Sequence, residues 1–269
     1  GGGDKLVYSG TATSAIITGL TRGITYNVRV YEFNGTLLTT NYQTVTFGNG
    51  NATTPDYISY STGTYTQDFN GIPATGGLFG TSGFGQGPYY LSTPPMNSTA
   101  IGGWQITNQT TNGDIRFETN TGSGNSGSVY SYGANLATER AIGSLGSSNN
   151  PAIGSVFTNT SGGPLSSVTI TFVGEQWRFG GGVPNTLSFE YQVAGTDILN
   201  GTFTGVAGLD FTSPVTSGVA GPLDGNIALN QTAKSYTFTL NSNWLPGQTL
   251  VIRWKDFNDS GSDDGLAID

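Results

Sequence analysis

The sequence predicts an all-β protein. Apolar and polar residues alternate repeatedly along the chain of 269 residues, as in strands with one buried face, whereas helical periodicity is almost absent. The 43 Gly, together with abundant Thr, Ser and Asn, are typical of short strands joined by many turns. The 14 Phe, 13 Tyr and 4 Trp argue against disorder, because disordered chains lack the aromatic residues that build a core.

Several runs carry the clearest alternation, and we predict each of them to be a strand. They are residues 14–20, 25–33, 43–47, 166–174, 186–194, 235–240 and 249–254. The stretch with the least strand character is 135–146, in which two Gly also limit any helix.

A domain boundary is predicted near FGNGNATTPDY, where Gly, small polar residues and Pro form a linker at residues 49–57. Residues 1–48 and 58–269 are then two separate β units. Because the sequence opens on GGGDK and not on Met, we expect it to be an internal piece of a longer protein.

Composition excludes several classes of function. With a net charge of −8 and only nine scattered Lys and Arg, the chain has no basic stripe for nucleic acid or for an anionic membrane surface. The absence of Cys and His removes disulfides, thiolate chemistry, Ser-His-Asp triads and imidazole metal ligands. No apolar run approaches the roughly 20 residues of a membrane span.

The first unit contains GLTRGITYNVRVYEFNG at residues 19–35, which resembles the E–F corner and F strand of a fibronectin type III domain. Leu20, Thr25 and Tyr26 match the usual Leu-x-Pro-x-Thr-x-Tyr pattern, and Arg22 stands at the Pro position. The earlier strands have no counterpart. The resemblance therefore implies that residues 1–48 are the C-terminal part of such a sandwich.

The second unit resembles a bacterial extracellular jelly-roll module and is similar to MAM domains and carbohydrate-binding jelly rolls. The residues that carry the resemblance include YTQDFNGIP (65–73), ATERAIGSLGSS (137–148), the EQWR run and the final GLAID. It implies a β-sandwich whose first and last strands pair, with cations near them. It also implies a secreted or cell-surface location in a large multidomain protein, as in Bacteroidetes-type proteins exported by type IX secretion.

The last stretch, RWKDFNDSGSDDGLAID, is rich in carboxylates. Asp256, Asn258, Ser260 and Gly261 fit the start of a calcium loop, but Ala267 stands where an EF-hand needs a bidentate Glu, which excludes an EF-hand. We predict instead a structural calcium site of the jelly roll. Its candidate ligands are Asp68, Asp256, Asp259, Asp263, Asp264 and Asp269. The alternative is an acidic, solvated loop that keeps a hairpin end soluble.

Aromatic residues provide the candidate ligand contacts. Trp177, near a strand end, and Tyr89 and Tyr90, in a loop bounded by Gly and Pro, could stack on sugar rings. The alternative is that Trp104 and Trp177 fill the core. The EQWR run also suggests a charge-assisted pair between Glu175 and Arg178.

Catalysis is not expected. Glu175 and Glu190 lie on neighbouring predicted strands, but the Glu-x-Asp-x-x-Glu strand common in jelly-roll glycosidases is absent. We expect a non-catalytic module that serves adhesion, spacing or assembly and contacts other domains of its own chain or other surface proteins. One alternative is a carbohydrate-binding module with a polysaccharide ligand. The other is an accessory domain of a secreted nuclease or other hydrolase.

Overall fold

A computed structural model describes residues 6–12, 14–15, 17, 20, 24–35, 39–43, 45–75, 77–79, 85–93, 98–110 and 113–269. The protein is all-β, which confirms the predicted fold class. Within the described part, the helices are 3-10 turns at Thr99–Ile101, Ala207–Leu209 and Ala228–Asn230. The chain divides into two compact units, Gly1–Asp56 and Tyr57–Asp269.

The strands, in chain order, are β1 (Thr25–Val30), β2 (Phe33–Asn34), β3 (Asn41–Tyr42), β4 (Gly48–Thr53), β5 (Ile58–Tyr60), β6 (Gly77–Phe79), β7 (Tyr89–Tyr90), β8 (Trp104–Asn108), β9 (Phe117–Asn120), β10 (Ser128–Tyr132), β11 (Ala141–Leu145), β12 (Pro151–Asn159), β13 (Leu165–Phe179), β14 (Thr186–Val193), β15 (Thr204–Gly205), β16 (Phe211–Thr212), β17 (Gly221–Pro222), β18 (Gln231–Trp244), β19 (Thr249–Asp256) and β20 (Gly265–Ile268).

The first unit is built from two antiparallel pairs, β1 with β4 and β2 with β3. Strand β1 confirms the first part of the strand predicted at 25–33. Strand β4, in contrast, occupies residues that we predicted as linker, because pairing with β1 overrides the turn-forming character of GNGNAT. The described residues of 43–47 form no strand, and neither do the described residues of the strand predicted at 14–20, which are 14, 15, 17 and 20.

The second unit contains two eight-stranded sheets in a sandwich-like arrangement. Sheet I has the order β17-β13-β20-β11-β10-β9-β6, with β18 also paired to β13. Sheet II has the order β15-β14-β19-β12-β8-β7, with β16 on β14 and β5 on β12. The four strands predicted between 166 and 254 all form, as β13, β14, β18 and β19.

The main core contains inward side chains of both sheets. In β14, Leu187, Phe189 and Tyr191 are buried and alternate with less buried residues, as the sequence pattern predicted. They join Phe172 and Ile268 of sheet I in one apolar cluster. This shared core fixes the register of the long strands, because a shift by one residue would turn every apolar side chain outward.

Part of the opposite face of sheet I, around Trp177, is also buried. There Trp177 stacks on Tyr132, with ring centroids 5.8 Å apart and planes within 9°. The turn that follows β17 covers Trp177 at Gly225, where a Cβ atom would lie 2.3 Å from the indole nitrogen. Only Gly permits this close approach.

Two details differ from expectation. The first and last strands of the second unit do not pair: β5 joins β12 in sheet II, whereas β20 lies between β11 and β13 in sheet I. Strand β11 falls within 135–146, the stretch with the least strand character. All its residues are buried, so it lacks the alternation by which half-buried strands are recognised.

Candidate functional site

Three carboxylates from distant parts of the sequence converge at the edge of β20. Glu139 precedes β11, Glu175 lies in β13, and Asp269 follows β20. One carboxylate oxygen of each lies within 4.8 Å of those of the other two. We call these three residues the carboxylate cluster; it is the only such group of acidic residues among those that the structure describes.

Hydrogen bonds hold two of the three side chains in place. Trp177 Nε1 donates to Glu175 Oε2 over 2.9 Å, and Gln231 Nε2 donates to Glu175 Oε1 over 3.2 Å. Asn226 Nδ2 donates to Glu139 Oε2 over 2.6 Å. Asp269 differs, since its Oδ1 is buried and has no hydrogen-bond partner.

The cluster is electrostatically unfavourable when all its carboxylates are ionised. Burial, and then the charges of Glu139 and Asp269, raise the pKa of Glu175 to about 7, although the hydrogen bonds from Trp177 and Gln231 oppose this. Burial, followed by the charges of Glu139 and Asp68, raises the pKa of Asp269 to about 6. The charges that act on these two groups are all negative, so a proton or a bound cation would relieve the repulsion.

Asp68 is near this cluster, as its charge acts on Asp269. Its own Oδ1 accepts from the backbone N–H of Asn70, whose side-chain oxygen accepts from the backbone N–H of Arg140 over 2.9 Å. The Arg140 guanidinium itself donates to the side chain and carbonyl of Ser131. The segment at 68–70 is therefore tied to the loop that carries Glu139.

The other predicted ligands lie in residues 256–264, which we call the acidic loop. Here each carboxylate accepts hydrogen bonds from other parts of the second unit. Ser144 Oγ donates to Asp256 over 2.8 Å, and the backbone N–H of Gly180 donates to Asp264 over 2.6 Å. Asp263 accepts from the backbone N–H groups of Ser147 (2.7 Å) and Asp259 (2.9 Å).

The acidic loop is also tied to sheet II. Asn185 Nδ2 donates to Asp259 over 2.6 Å, and its side-chain oxygen accepts from the backbone N–H of Asp264. Burial raises the pKa of Asp256 well above its usual range, and the charges of Asp263, Asp259 and Asp264 add to the effect. The carboxylates of this loop thus act mainly as acceptors that hold its backbone; the exception is Asp264 Oδ2, which is buried without a hydrogen-bond partner.

The structure therefore divides the six predicted ligands. Asp68 and Asp269 lie at or near the carboxylate cluster, whereas Asp256, Asp259, Asp263 and Asp264 belong to the acidic loop. Glu139 and Glu175 were not among the predicted ligands. Both stand in runs that carry the family resemblance, but only the pairing of β20 with β11 and β13 brings them together.

The aromatic side chains predicted as ligand contacts are largely packed against other parts of the protein. Trp177 is 2% exposed and Trp104 is 4% exposed, so neither presents an open ring face. Tyr89 and Tyr90 form β7, pair with β8 and are half-buried. Tyr89 also packs against the main core.

The predicted pair of Glu175 with Arg178 is wrong. Arg178 does not pair with Glu175; it donates to the carbonyls of Gly122 and Ser123, while Glu175 accepts from Trp177 and Gln231. Glu175 and Glu190 are in different sheets. Glu190 accepts from Arg253, with Nε to Oε2 at 2.8 Å.

No protein-family model matches this chain, and the search of curated proteins finds no similar sequence. Within the described residues, no helix has the length and apolar character needed to cross a membrane.

Proposed function

We propose that residues 57–269 form a non-catalytic, calcium-stabilised module of a secreted or cell-surface protein that serves adhesion, spacing or assembly. The observation that carries the proposal is the convergence of Glu139, Glu175 and Asp269. Calcium binds oxygen ligands at about 2.3–2.6 Å, so two oxygens on one ion lie at most about 5 Å apart. The spacing within the carboxylate cluster meets this limit.

The chemistry of the cluster favours a hard cation over an enzyme site. Its donors are all oxygens, as calcium prefers. Asp269 offers a buried oxygen without a hydrogen-bond partner, and the nearby charge of Asp68 adds to the negative potential at Asp269. Two hydrogen bonds fix the side chain of Glu175, and the residue is only 2% exposed. A fixed and buried carboxylate suits a metal ligand better than a general acid.

A structural role follows from where the ligands lie. Glu139 lies just before β11, Glu175 lies within β13 of sheet I, and Asp269 directly follows β20. A cation shared by them would cross-link three separate stretches of chain and would stabilise the folded state by mass action. The carbohydrate-binding alternative has less support, since Trp104 and Trp177 are both buried.

Thermal unfolding of the 269-residue chain with calcium and with a chelator tests the proposal. We expect calcium at about 100 times its dissociation constant to stabilise by about 2.7 kcal/mol. This corresponds to a midpoint rise of roughly 5–10 °C for a domain of this size. The double variant Glu139→Gln, Asp269→Asn should lose the shift, and Asp259→Asn in the acidic loop should keep it. Equal midpoints in calcium and chelator would refute the cation site.

A further inference from the structure

The turn between β17 and β18, residues 223–230, contacts the side chains that build the carboxylate cluster, and we call this turn the strap. Its two ends are fixed in sheet I, because β17 pairs with β13 and β18 begins at Gln231, opposite Glu175 of β13. Between these ends the strap forms no strand and contains the 3-10 turn Ala228–Asn230. Its middle must therefore be held by contacts other than sheet pairing.

Little buried apolar surface holds the middle of the strap. Residues 226–229 are all exposed, including Ile227 at 48% and Leu229 at 81%. The buried residues of the strap are Gly225 and Asn230, and the Asn230 side chain bonds within the strap itself. Segments with few buried apolar contacts open at a lower free-energy cost than the core. The closed position of the strap therefore depends on a small number of polar and close-packing contacts.

Asn226 links the exposed middle of the strap to the carboxylate cluster. Its Nδ2 donates to Glu139 Oε2 over 2.6 Å, and its backbone N–H donates to Asp224 Oδ1 over 3.0 Å, which fixes Asn226 within the strap. Glu139 lies before β11 and outside any strand, so sheet pairing does not position its carboxylate. The bond from Asn226 therefore restrains a proposed ligand that the sheet leaves free to move.

Trp177 provides a second link between the strap and the cluster. The backbone N–H of Leu223 donates to the Trp177 carbonyl over 2.8 Å, and Gly225 packs so closely on the indole that a Cβ atom would lie 2.3 Å from Nε1. The same Nε1 donates to Glu175 Oε2. Gln231, where the strap ends, donates to Glu175 Oε1. The closed strap therefore also supports the two donors that fix Glu175.

Electrostatics connect the position of the strap to a bound cation. Without a cation, repulsion among the ionised carboxylates favours their separation, and a displaced Glu139 no longer offers its acceptor to Asn226. A cation shared by the three carboxylates would hold Glu139 in place and with it the acceptor for the strap. Coupling between two such events is reciprocal, so a closed strap that holds Glu139 and Glu175 in position raises the affinity for the cation.

We propose that closure of the strap is coupled to the binding of calcium at the carboxylate cluster, and that Asn226 is the positioning residue that connects the two. The proposal rests on the proposed function and deepens it, because it adds a means of regulating the same site. A change that opens the strap lowers the affinity for calcium, and calcium in turn orders the strap.

Calorimetric titration of the folded 269-residue chain with calcium tests the role of Asn226. Asn226→Ala removes the donor to Glu139 and touches no ligand directly. Asn241→Ala is the matched control, because Asn241 is also exposed and its Nδ2 donates to Thr204 Oγ1, in contact with no proposed ligand. We expect Asn226→Ala to raise the dissociation constant for calcium at least tenfold and Asn241→Ala to leave it within about twofold. Equal dissociation constants would overturn the proposal.

A pair of Gly variants tests whether the strap must close. Gly225→Ala inserts a methyl group 2.3 Å from the Trp177 indole and forces the strap outward, whereas Gly208→Ala inserts one 2.8 Å from the ring of Tyr236 in a different turn. Neither Gly has a positive φ, so both variants test close packing against an aromatic ring. We expect at least tenfold weaker calcium binding in Gly225→Ala and a change within about twofold in Gly208→Ala. Equal losses would contradict the coupling.

A spin label in the strap measures the reciprocal effect and does not depend on Gly225→Ala folding. The chain contains no Cys, so Ala228→Cys and Ser262→Cys each give a single labelling position, and both residues are exposed. We expect calcium to lengthen the rotational correlation time of a nitroxide at 228 at least twofold, and to leave the nitroxide at 262 in the acidic loop unchanged. Adding Asn226→Ala should remove the effect at 228. Identical spectra at 228 in saturating calcium and in chelator would overturn the proposal.

The same samples separate this inference from the proposed function. A calcium-dependent unfolding midpoint, with a strap label and an Asn226→Ala affinity that do not respond, would leave the structural cation site standing and reject the coupling. A midpoint and a titration that show no calcium effect in the unsubstituted chain would refute the cation site itself, and the coupling with it.

Discussion

The carboxylate cluster and the acidic loop contain the same functional group in two different environments. In the acidic loop, buried Asp side chains accept hydrogen bonds from the backbone and side chains of neighbouring segments. In the carboxylate cluster, oxygens of Glu139, Glu175 and Asp269 point at one another, and Asp269 Oδ1 has no donor. Asp264 Oδ2 in the acidic loop is also buried without a partner, but among the described residues only the carboxylate cluster brings three carboxylate oxygens within 4.8 Å of one another. The density of acidic residues in the sequence therefore does not locate a cation site; the convergence of the carboxylates in the fold does.

The largest expected effect on stability comes from a substitution in the acidic loop. Asp263→Ala leaves the backbone N–H groups of Ser147 and Asp259 without their acceptor, and we expect it to lower the free energy of unfolding by about 2–4 kcal/mol. Urea unfolding measures this loss, which should be the same with calcium and with chelator. Asp263→Asn keeps one acceptor oxygen and should lose less. A loss that appears only in calcium would make the loop a cation site instead.

The next expected effect is a change of stability with pH in the absence of calcium. The pKa of Glu175 is raised to about 7 and that of Asp269 to about 6, so the folded state binds more protons than the unfolded state between pH about 4 and 7. The resulting stability is present below this window and is lost as pH rises through it, by about 3–6 kcal/mol. Chemical unfolding in chelator across this range measures the fall.

Two controls make the pH experiment specific. Glu175→Gln has no carboxyl to titrate and should reduce the fall, leaving the part that comes from Asp269, Asp256 and Asp264, whose pKa values are also raised. Calcium should also oppose it, because a bound cation favours the ionised carboxylates. A stability that rises with pH in chelator would contradict the assignment of these shifts.

The smallest expected effect is the difference in stability between two Trp→Phe variants, which remove two different indole N–H groups. Trp177→Phe removes the donor to Glu175 Oε2, whereas Trp254→Phe removes an N–H that has no partner. Both variants lose the same atoms, so their difference isolates the hydrogen bond. We expect Trp177→Phe to be less stable than Trp254→Phe by about 1–2 kcal/mol in urea unfolding. Equal stabilities would mean that Trp177 does not support the carboxylate cluster.

Much of the second unit could be predicted because its strands are half-buried. Residues 186–194 alternate between core and surface, and the structure places Leu187, Phe189 and Tyr191 inside as expected. Strand β11 was not predicted, since burial on both faces removes the alternation. Strand β4 was missed because GNGNAT has the composition of a turn and becomes a strand only by pairing with β1.

The candidate site was predictable only in part. Asp68 and Asp269 were named from the resemblance, and they do lie near each other. Glu139 and Glu175 were not, because sequence spacing carries no information about a register such as Glu175 opposite Ala267.

The most direct test of the cation site uses terbium as a luminescent substitute for calcium, excited through tryptophan. Trp177 Nε1 lies 2.9 Å from Glu175 Oε2, so an ion at the carboxylate cluster would be within reach of energy transfer from this indole. We predict saturable emission that calcium displaces, that Trp177→Phe weakens and that Asp269→Asn abolishes, while Asp263→Ala leaves it intact. Emission that survives Asp269→Asn but disappears in Asp263→Ala would place the ion in the acidic loop and contradict the account.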